Sequence, residues 1–252
     1  MVFPLGNHDG GVKNEKDIVE YQNTNTTNEI NQHFQNLHPD EEYEWKHKGG
    51  TKQKRDAAVE FASGKEYGIS IKNHKKGTFD LVNTTQGISD DLKQSIKEFK
   101  INNTDKPIPK KGGIRHELEN ILSDHLNNIS SSTITDILNS FWKKAPETPY
   151  IMINDITKTR YILFPISNFD EYCNPDHNHV FILKSVRAKT SRQIWIKKSD
   201  GTEVNTNLRI RLNLNNGITD LFKGSSVPCI KIQLDKVDPF INNAHCKIIV
   251  PY

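Results

Sequence analysis

Residues 56–74 read DAAVEFASGKEYGISIKNH, and this stretch decides the fold expected for the first half of the chain. Two short apolar runs, residues 57–61 and 67–72, stand on either side of a loop that contains Gly64. Short runs of this kind, separated by a few residues that include a glycine, are typical of an antiparallel β-hairpin. The stretch therefore predicts two paired strands, with Asp56 at the entrance of the first.

The predicted hairpin collects charged side chains on one face. Alternate residues of a strand project from the same side of a sheet. Pairing of Asp56 near Lys72 places both side chains on one face, and Glu60 and Ser70 fall on that face by the same alternation. The pattern predicts a carboxylate beside an ammonium group. Such a pair is either part of a metal site or a solvent-exposed ion pair worth at most about 1 kcal/mol.

This arrangement resembles the core of the PD-(D/E)XK nuclease superfamily. In that family an aspartate at the start of one strand and an acid-X-lysine on the next hold a divalent metal and position the attacking water. Arg55 stands where the family has proline, and Ser70 stands where it usually has Asp or Glu. Residues 68–74, GISIKNH, are similar to the serine-X-lysine strand, followed by Asn and His, of some restriction endonucleases in this superfamily.

The resemblance covers residues 10–80 and implies a set of site residues. In the serine variant a glutamate of the first helix completes the metal shell, and residues 10–15, GGVKNE, are similar to the opening of that helix. Glu15 is thus nominated, with Glu20 and Glu29 as weaker substitutes. The implied catalytic residues are Asp56, Ser70, Lys72 and Glu15, and the implied ligands of Mg²⁺ are Asp56, Glu15, Glu60 and the backbone oxygen of Ile71. Which glutamate completes the site is left open.

These residue types suit phosphodiester hydrolysis. Mg²⁺ prefers oxygen ligands and keeps several waters, and a metal in this position neutralises developing charge and acidifies a water. Lys72 is expected to orient or help deprotonate that water and to stabilise the charge of the transition state.

Composition limits the class of protein. The chain has 252 residues, of which 34% are hydrophobic and 26% charged, with a net charge of +3. No run approaches the roughly 20 apolar residues of a membrane span, and the first residues lack the features of a signal peptide. Three widely spaced cysteines suggest neither a disulfide framework nor a thiolate zinc site. P-loop, dinucleotide and nucleophile-elbow motifs do not occur. We expect a cytoplasmic protein without a membrane partner.

Two basic segments point to a polyanion. Residues 46–76 hold nine Lys or Arg against three acidic residues, and residues 184–211 hold eight against two. Neutralisation of phosphates by such side chains drives nucleic-acid binding, although a solvated lysine face would look the same. Arg reads guanine, and Asn or Gln reads adenine. The predicted DNA-binding residues are Lys52, Lys54, Lys75 and Lys76 for the backbone and Arg192, Gln193, Arg209 and Arg211 for base edges.

The rest of the chain divides into a helical middle and a strand-rich end. Residues 14–36 predict a helix or two helices broken near 23–27, and Ser89 and Ser132 are predicted N-caps of later helices. Further predicted helices span 89–100, 115–128 and 132–144, and predicted strands fall within 150–155, 159–166, 179–186, 192–198, 208–214, 228–235 and 246–252. The fold class is α/β: a restriction-endonuclease-like mixed-sheet core, a helical insertion and a β-rich C-terminal half.

The predicted parts are a catalytic nuclease core over 1–105, a linker and helical segment over 106–145, and a β-rich DNA-recognition part over 146–252 packed on the core. The expected activity is that of a Mg²⁺-dependent, site-specific endonuclease of double-stranded DNA, of the type II restriction kind. A palindromic site would favour a homodimer by symmetry. Two alternatives remain: a structure-specific repair or junction nuclease, and a DNA-binding protein that lacks catalysis.

Overall fold

The computed structural model describes residues 10–49, 55–75, 77–104, 106, 108–109, 111–142, 148–167, 179–214, 227–243 and 247–252. These residues divide into two compact units. The first unit takes the described residues of Met1–Gly77, Trp142–Tyr172 and Asn243–Tyr252, and the second takes those of Thr78–Phe141 and Cys173–Asn242. No helix in the described ranges is long and apolar enough to cross a lipid bilayer.

The chain is a mixed α/β protein. Its helices are α1 (Gly10–Thr24), α2 (Glu29–Leu37), α3 (Asp90–Asn102), α4 (Ile114–Asn127), α5 (Ser131–Trp142) and α6 (Val237–Asn243). Its strands are β1 (Tyr43–His47), β2 (Ala57–Phe61), β3 (Glu66–His74), β4 (Phe79–Thr84), β5 (Tyr150–Asp155), β6 (Arg160–Pro165), β7 (Val180–Ser185), β8 (Ser191–Lys197), β9 (Glu203–Leu214), β10 (Pro228–Leu234) and β11 (Ile248–Pro251).

The first unit is built on a six-stranded mixed sheet in the order β1-β2-β3-β5-β6-β11. Neighbouring strands are antiparallel except β3 and β5, which run parallel. Ile18 of α1 and Phe34 of α2 are buried in one cluster with Ile69 of β3. Asn14 Nδ2 donates to Asn73 Oδ1 at 2.6 Å, so the start of α1 lies beside the C-terminal end of β3.

A buried amide connects α1, α2 and β1. Asn31 is fully buried, and its Nδ2 donates to the carbonyl oxygens of Gln22 at 2.8 Å and Asn25 at 2.9 Å. Its Oδ1 accepts from the indole nitrogen of Trp45 at 2.7 Å. A buried polar group with its partners in place favours one arrangement of the elements that supply them. Asn31 therefore helps to fix β1 against the two helices.

The second unit is built on a five-stranded sheet in the order β4-β10-β9-β8-β7, with every neighbouring pair antiparallel. In β9 the buried residues Leu208, Ile210 and Leu212 alternate with Arg209 and Arg211. Helix α4 contacts β8 and β9, and its leucines are fully buried. One face of the sheet is therefore apolar and covered, and the opposite face is polar.

Local predictions agree with these elements. The hairpin of β2 and β3 is confirmed, as are the break between α1 and α2 and the N-cap of α3, where Ser89 accepts from the Leu92 amide at 3.1 Å. The N-cap of α5 is Ser130 rather than Ser132, because the Ser130 hydroxyl accepts from the Thr133 amide at 3.1 Å. Ser130, Ser131 and Ser132 are consecutive, and all three are residues suited to an N-cap, so residue type alone did not identify the cap.

Three elements were not predicted: β1, β4 and α6. Strand β1 reads YEWKH, in which Trp45 is the buried residue among charged neighbours. The predicted parts 1–105, 106–145 and 146–252 are continuous in sequence, whereas each unit combines separate segments. Strands β5, β6 and β11 complete the sheet of the first unit, and β4 belongs to the sheet of the second.

Candidate active site

Asp56 lies immediately before β2, and its carboxylate is held by the neighbouring strand. The hydroxyl of Ser70 donates to Asp56 Oδ2 at 3.1 Å, and the backbone amide of Ile71 donates to the same oxygen at 2.6 Å. The ammonium nitrogen of Lys72 lies 4.0 Å from that oxygen. Ser70, at the position where the resemblance to the PD-(D/E)XK superfamily would lead one to expect an acidic residue, thus donates to Asp56 and adds no carboxylate of its own.

The hairpin register agrees with the prediction that Asp56 lies near Lys72. Ala57 pairs with Ile69, so the register continued by one residue sets Asp56 opposite Ser70, two residues from Lys72. Ser70 and Lys72 both approach the same oxygen of Asp56, which agrees with the prediction that the three side chains share a face.

Strand β3 continues past the end of β2. The amide of Asp56 donates to the carbonyl of Ile69 at 3.0 Å. The amide of Ile71, in contrast, donates to the carboxylate of Asp56 and not to a backbone carbonyl. The N–H and C=O groups of one residue in an extended strand point to the same side. The carbonyl oxygen of Ile71 therefore faces the side of β3 on which Asp56 lies.

Glu15 of α1 approaches this position from the helix side. Its Oε2 lies 3.0 Å from Nε2 of His47, the last residue of β1. Gly49 lies between Glu15 and the Asp56 backbone. The Gly49 amide donates to the Asp56 carbonyl at 3.1 Å. A Cβ atom on Gly49 would lie 2.5 Å from Glu15 Oε2. The absence of a side chain at position 49 leaves room for the Glu15 carboxylate beside the backbone that bonds the Asp56 carbonyl.

The electrostatics of Glu15 reflect this neighbourhood. Burial raises the pKa of Glu15, the hydrogen bond with His47 opposes that rise, and the negative charge of Asp56 adds to it. Lys72 also acts on the Glu15 pKa, in the lowering direction. The structure thus brings Glu15, Asp56, Ser70, Ile71 and Lys72 into one region.

Glu60 lies elsewhere on the hairpin. It is four residues along β2 from Asp56, which is roughly 13 Å in an extended strand. Its carboxylate accepts from Lys46 Nζ at 2.8 Å and also from Lys48. These two hydrogen bonds lower the pKa of Glu60 to about 2. The structure does not bring Glu60 together with Asp56 and Glu15.

The residues near Asp56 fit a magnesium ion. Within the described ranges, no three His, Cys, Asp or Glu side chains form a group that could hold a metal. Mg²⁺ in phosphoryl-transfer sites is, however, often held by only one or two carboxylates together with water and substrate phosphate. Asp56 and Glu15 supply two carboxylates and Ile71 a carbonyl, so the donors are all oxygens.

The first basic segment is partly neutralised. Lys46 and Lys48 pair with Glu60, and Arg55 pairs with Glu66. Lys75 is exposed at the end of β3. The predicted phosphate-binding residues Lys52, Lys54 and Lys76 lie outside the described residues.

Arg192 has a structural environment in the second unit. It is 6% exposed, and burial lowers its pKa. Its guanidinium donates to Asn127 Oδ1, to Ser123 Oγ and to the carbonyl oxygens of Lys189 and Ser191, over 2.6–3.1 Å. These five hydrogen bonds use every N–H of the group. In this conformation Arg192 joins α4 to β8 and has no donor left for a base edge.

The other three predicted base-reading residues lie on the polar face of the second sheet. Arg209 and Gln193 are opposite one another, and both donate to Asp235, at 2.6 and 2.7 Å. Arg211 is exposed and pairs across the sheet with Lys231. The prediction that Arg209 and Arg211 share a face is confirmed.

Sequence reasoning missed His47, Gly49 and Asp155, and it quoted His74 only as part of the resemblance, without a role. His74 Nδ1 lies 2.9 Å from Asp155 Oδ1 at the ends of the parallel strands β3 and β5. The sequence held a signal for His74, because it continues the alternation of Ser70 and Lys72. The sequence also contained a signal that Arg192 faces inward, because Arg192 alternates along the strand with the buried residues Ile194 and Ile196. The contacts of His47 and Gly49 have no comparable local signal.

Comparison with known proteins adds no family to this geometry. No protein-family model matches the chain, and neither a curated protein nor a solved structure does. The resemblance to the PD-(D/E)XK superfamily therefore rests on residues 10–80 alone, and the chemistry of the site follows from its own contacts.

Proposed function

We propose that this chain is a Mg²⁺-dependent endonuclease that cleaves double-stranded DNA at specific sites, with a restriction-endonuclease-like core in the first unit. The observation that carries the proposal is the position of Asp56. Its carboxylate lies beyond the last pair of the β2–β3 ladder, next to the Ile71 amide and 4.0 Å from the Lys72 ammonium. Glu15 approaches the same region from α1.

Each residue has a distinct task in this proposal. Asp56, Glu15 and the Ile71 carbonyl hold the metal, which when bound neutralises charge on the scissile phosphate and acidifies a water. Ser70 and the Ile71 amide keep the Asp56 carboxylate in place. Lys72 attracts the phosphate and stabilises the negative charge that develops in the transition state.

Recognition is assigned to the polar face of the second sheet. Arg211 is exposed there, with Lys231 opposite it. Arg209 and Gln193 carry the donors suited to guanine and adenine, and Asp235 orients both. Arg192 is left out of this set because its donors are all used within the unit. A palindromic recognition site would require two copies of the chain related by symmetry.

The test is plasmid cleavage with purified protein in Mg²⁺, followed by sequencing of the product ends. We expect defined ends in the wild type. Asp56→Asn should lower the cleavage rate by about a thousandfold or more, because a metal-binding carboxylate acts mainly on the transition state. Its affinity for the duplex in Ca²⁺ should stay within about tenfold. Glu60→Gln is the matched control, because it removes a carboxylate from the same strand face and should cleave normally.

Wild-type rates in Asp56→Asn would remove this hairpin from the active site. Faster cleavage of branched than of linear duplexes would favour a structure-specific nuclease. One observation favours a DNA-binding protein without catalysis: only two carboxylates approach the proposed metal site in the described part of the chain. Sequence-dependent binding in Ca²⁺ together with no cleavage in Mg²⁺ would support that alternative.

A further inference from the structure

The end of β1 and the two residues after it contact both acidic residues of the proposed metal site. The Nε2 atom of His47, the last residue of β1, lies 3.0 Å from Oε2 of Glu15. The backbone amides of Lys48 and Gly49 both donate to the carbonyl oxygen of Asp56, at 3.0 and 3.1 Å. Three consecutive residues therefore connect the helix that carries Glu15 to the backbone that carries Asp56.

The alternation of β1 puts the His47 side chain on the side of α1. Alternate side chains of a strand project from one face, so His47 shares a face with Trp45. Trp45 is buried in one cluster with Ile18 of α1. The ladder partner of His47 is Ala57, the residue next to Asp56. His47 therefore reaches toward α1 from a backbone position that is fixed beside Asp56.

Other contacts already hold α1 near each end. Asn23 donates through Nδ2 to the carbonyl oxygen of Trp45, and its Oδ1 accepts from the Trp45 amide, both at 2.9 Å. At the other end, Asn14 Nδ2 donates to Asn73 Oδ1 at 2.6 Å. The position of the helix thus has supports of its own, and the contact with the imidazole acts on the direction of the Glu15 side chain.

The contact leaves one oxygen of Glu15 for a metal. The side chains of Glu15 and His47 are 18% and 19% exposed. A carboxylate that binds a metal is ionised and only accepts hydrogen bonds, so His47 Nε2 is the donor. Within the described part of the chain, Oε1 of Glu15 accepts no hydrogen bond. A side chain that is already held in one direction loses less conformational freedom when it binds a ligand.

Gly49 offers a second, independent way to perturb this contact. A Cβ atom at position 49 would lie 2.5 Å from Glu15 Oε2 and 2.7 Å from His47 Nε2. Gly49 does not have a positive φ angle, so the backbone at this position also suits alanine. Gly49→Ala would therefore separate the donor from the acceptor while both side chains stay in the protein.

We propose that His47 is a positioning residue of the metal site: its imidazole N–H holds the Glu15 carboxylate toward Asp56, so that the two carboxylates can bind one divalent cation. This inference rests on the proposed nuclease function. Hydrogen bonds of this kind orient metal ligands, and their loss typically weakens metal binding by about 10–100-fold. In this role His47 acts through Glu15 and contacts neither the metal nor the DNA.

The experiment measures metal binding directly, with Mn²⁺ as the probe. Mn²⁺ takes the same kinds of oxygen ligand as Mg²⁺, and electron paramagnetic resonance follows the free ion during a titration of the purified protein. His47→Gln keeps an N–H donor and loses the ring, whereas His47→Phe keeps the ring and loses the donor. Glu20→Gln, at an exposed position of α1, is the matched control. Thermal unfolding checks that each variant is folded.

We expect His47→Phe to weaken Mn²⁺ binding by about 10–100-fold, and His47→Gln to bind within about threefold of wild type. In a Glu15→Ala background, His47→Phe should change the affinity by less than about twofold, because the acceptor is already absent. Cleavage by His47→Phe should need more Mg²⁺ and approach the wild-type rate once Mg²⁺ saturates. Gly49→Ala should weaken Mn²⁺ binding in the same way, and it replaces His47→Phe if that variant does not fold.

The opposite ranking, with weak binding by His47→Gln and wild-type binding by His47→Phe, would show that the ring packs rather than donates and would overturn the assignment of His47 alone. Equal losses in the two variants, or no loss in either, would also overturn it. If the wild type bound Mn²⁺ but cleaved no DNA, the nuclease function would be overturned, and the same comparison would still decide the role of His47. A wild type that neither bound Mn²⁺ nor cleaved DNA would overturn both proposals.

Discussion

Arg192 and Arg211 belong to the same basic segment but should respond to mutation in opposite ways. Arg192 is buried and donates to α4 and to the turn before β8, whereas Arg211 is exposed on the polar face of the same sheet. We expect Arg192→Ala to lower stability and leave specific recognition intact in the folded fraction. Arg211→Ala should weaken DNA binding and leave stability unchanged.

The magnitude follows from the contacts of the guanidinium. Hydrogen bonds that involve a charged group contribute about 1.5–3 kcal/mol each, but contributions from one group do not add. Burial lowers the pKa of Arg192, which means that removing the charge from water has a cost that offsets part of the gain. We therefore expect Arg192→Ala to reduce the free energy of unfolding by about 2–4 kcal/mol, and Tm by on the order of 10 °C. For exposed Arg211 the change should stay within about 0.5 kcal/mol.

Urea unfolding followed by circular dichroism measures the first effect, and fluorescence anisotropy of labelled duplexes in Ca²⁺ measures the second. Arg192→Lys is an informative companion, because it keeps the positive charge and loses the planar fork. If stability depends on the fork, this variant should be nearly as unstable as Arg192→Ala. The structural role would be refuted if Arg192→Ala were as stable as wild type and lost affinity only for the preferred DNA sequence. Arg192 would then be assigned to base reading together with Arg209, Arg211 and Gln193.

Two further predictions concern acidic residues of the first unit. Glu15→Gln should raise the Mg²⁺ concentration needed for half-maximal cleavage. Glu20→Gln, a change at an exposed position of the same helix, should leave that concentration unchanged. If Glu15→Gln and wild type needed the same Mg²⁺ concentration, Glu15 would be excluded as a ligand. Hydrogen bonds from Lys46 and Lys48 lower the pKa of Glu60 to about 2, so its stabilising effect is complete above the ordinary pKa near 4.5 and disappears as pH falls toward 2. Unfolding measured against pH should lose this acid-range slope in Glu60→Gln, and an unchanged profile would contradict the pairing.

The features of this protein that sequence predicts well are those set by neighbours in the chain. The loop between β2 and β3 contains Gly64 at φ 84°, a conformation that glycine adopts without strain, so the hairpin follows from local residue types. Ser89 caps α3 through the Leu92 amide three residues away. The common face of Asp56, Ser70 and Lys72 follows from alternation along paired strands. Local pattern thus places Asp56, Ser70 and Lys72 together, whereas Glu15 and the carbonyl oxygen of Ile71 were implied only by the resemblance to the nuclease superfamily.

The tertiary structure decided which segments share a sheet and which charges are available. The parallel pairing of β3 with β5 joins residues about eighty positions apart, and no local pattern encodes such a partner. That pairing brings Asp155 to His74, and α1 brings Glu15 toward Asp56. Charge counts predicted two basic segments that face a polyanion, but Glu60 pairs with two lysines of the first segment and α4 accepts hydrogen bonds from Arg192 of the second. Sequence determines local conformation through short-range sterics and hydrogen bonds, whereas burial and pairing depend on contacts that form only when distant segments pack.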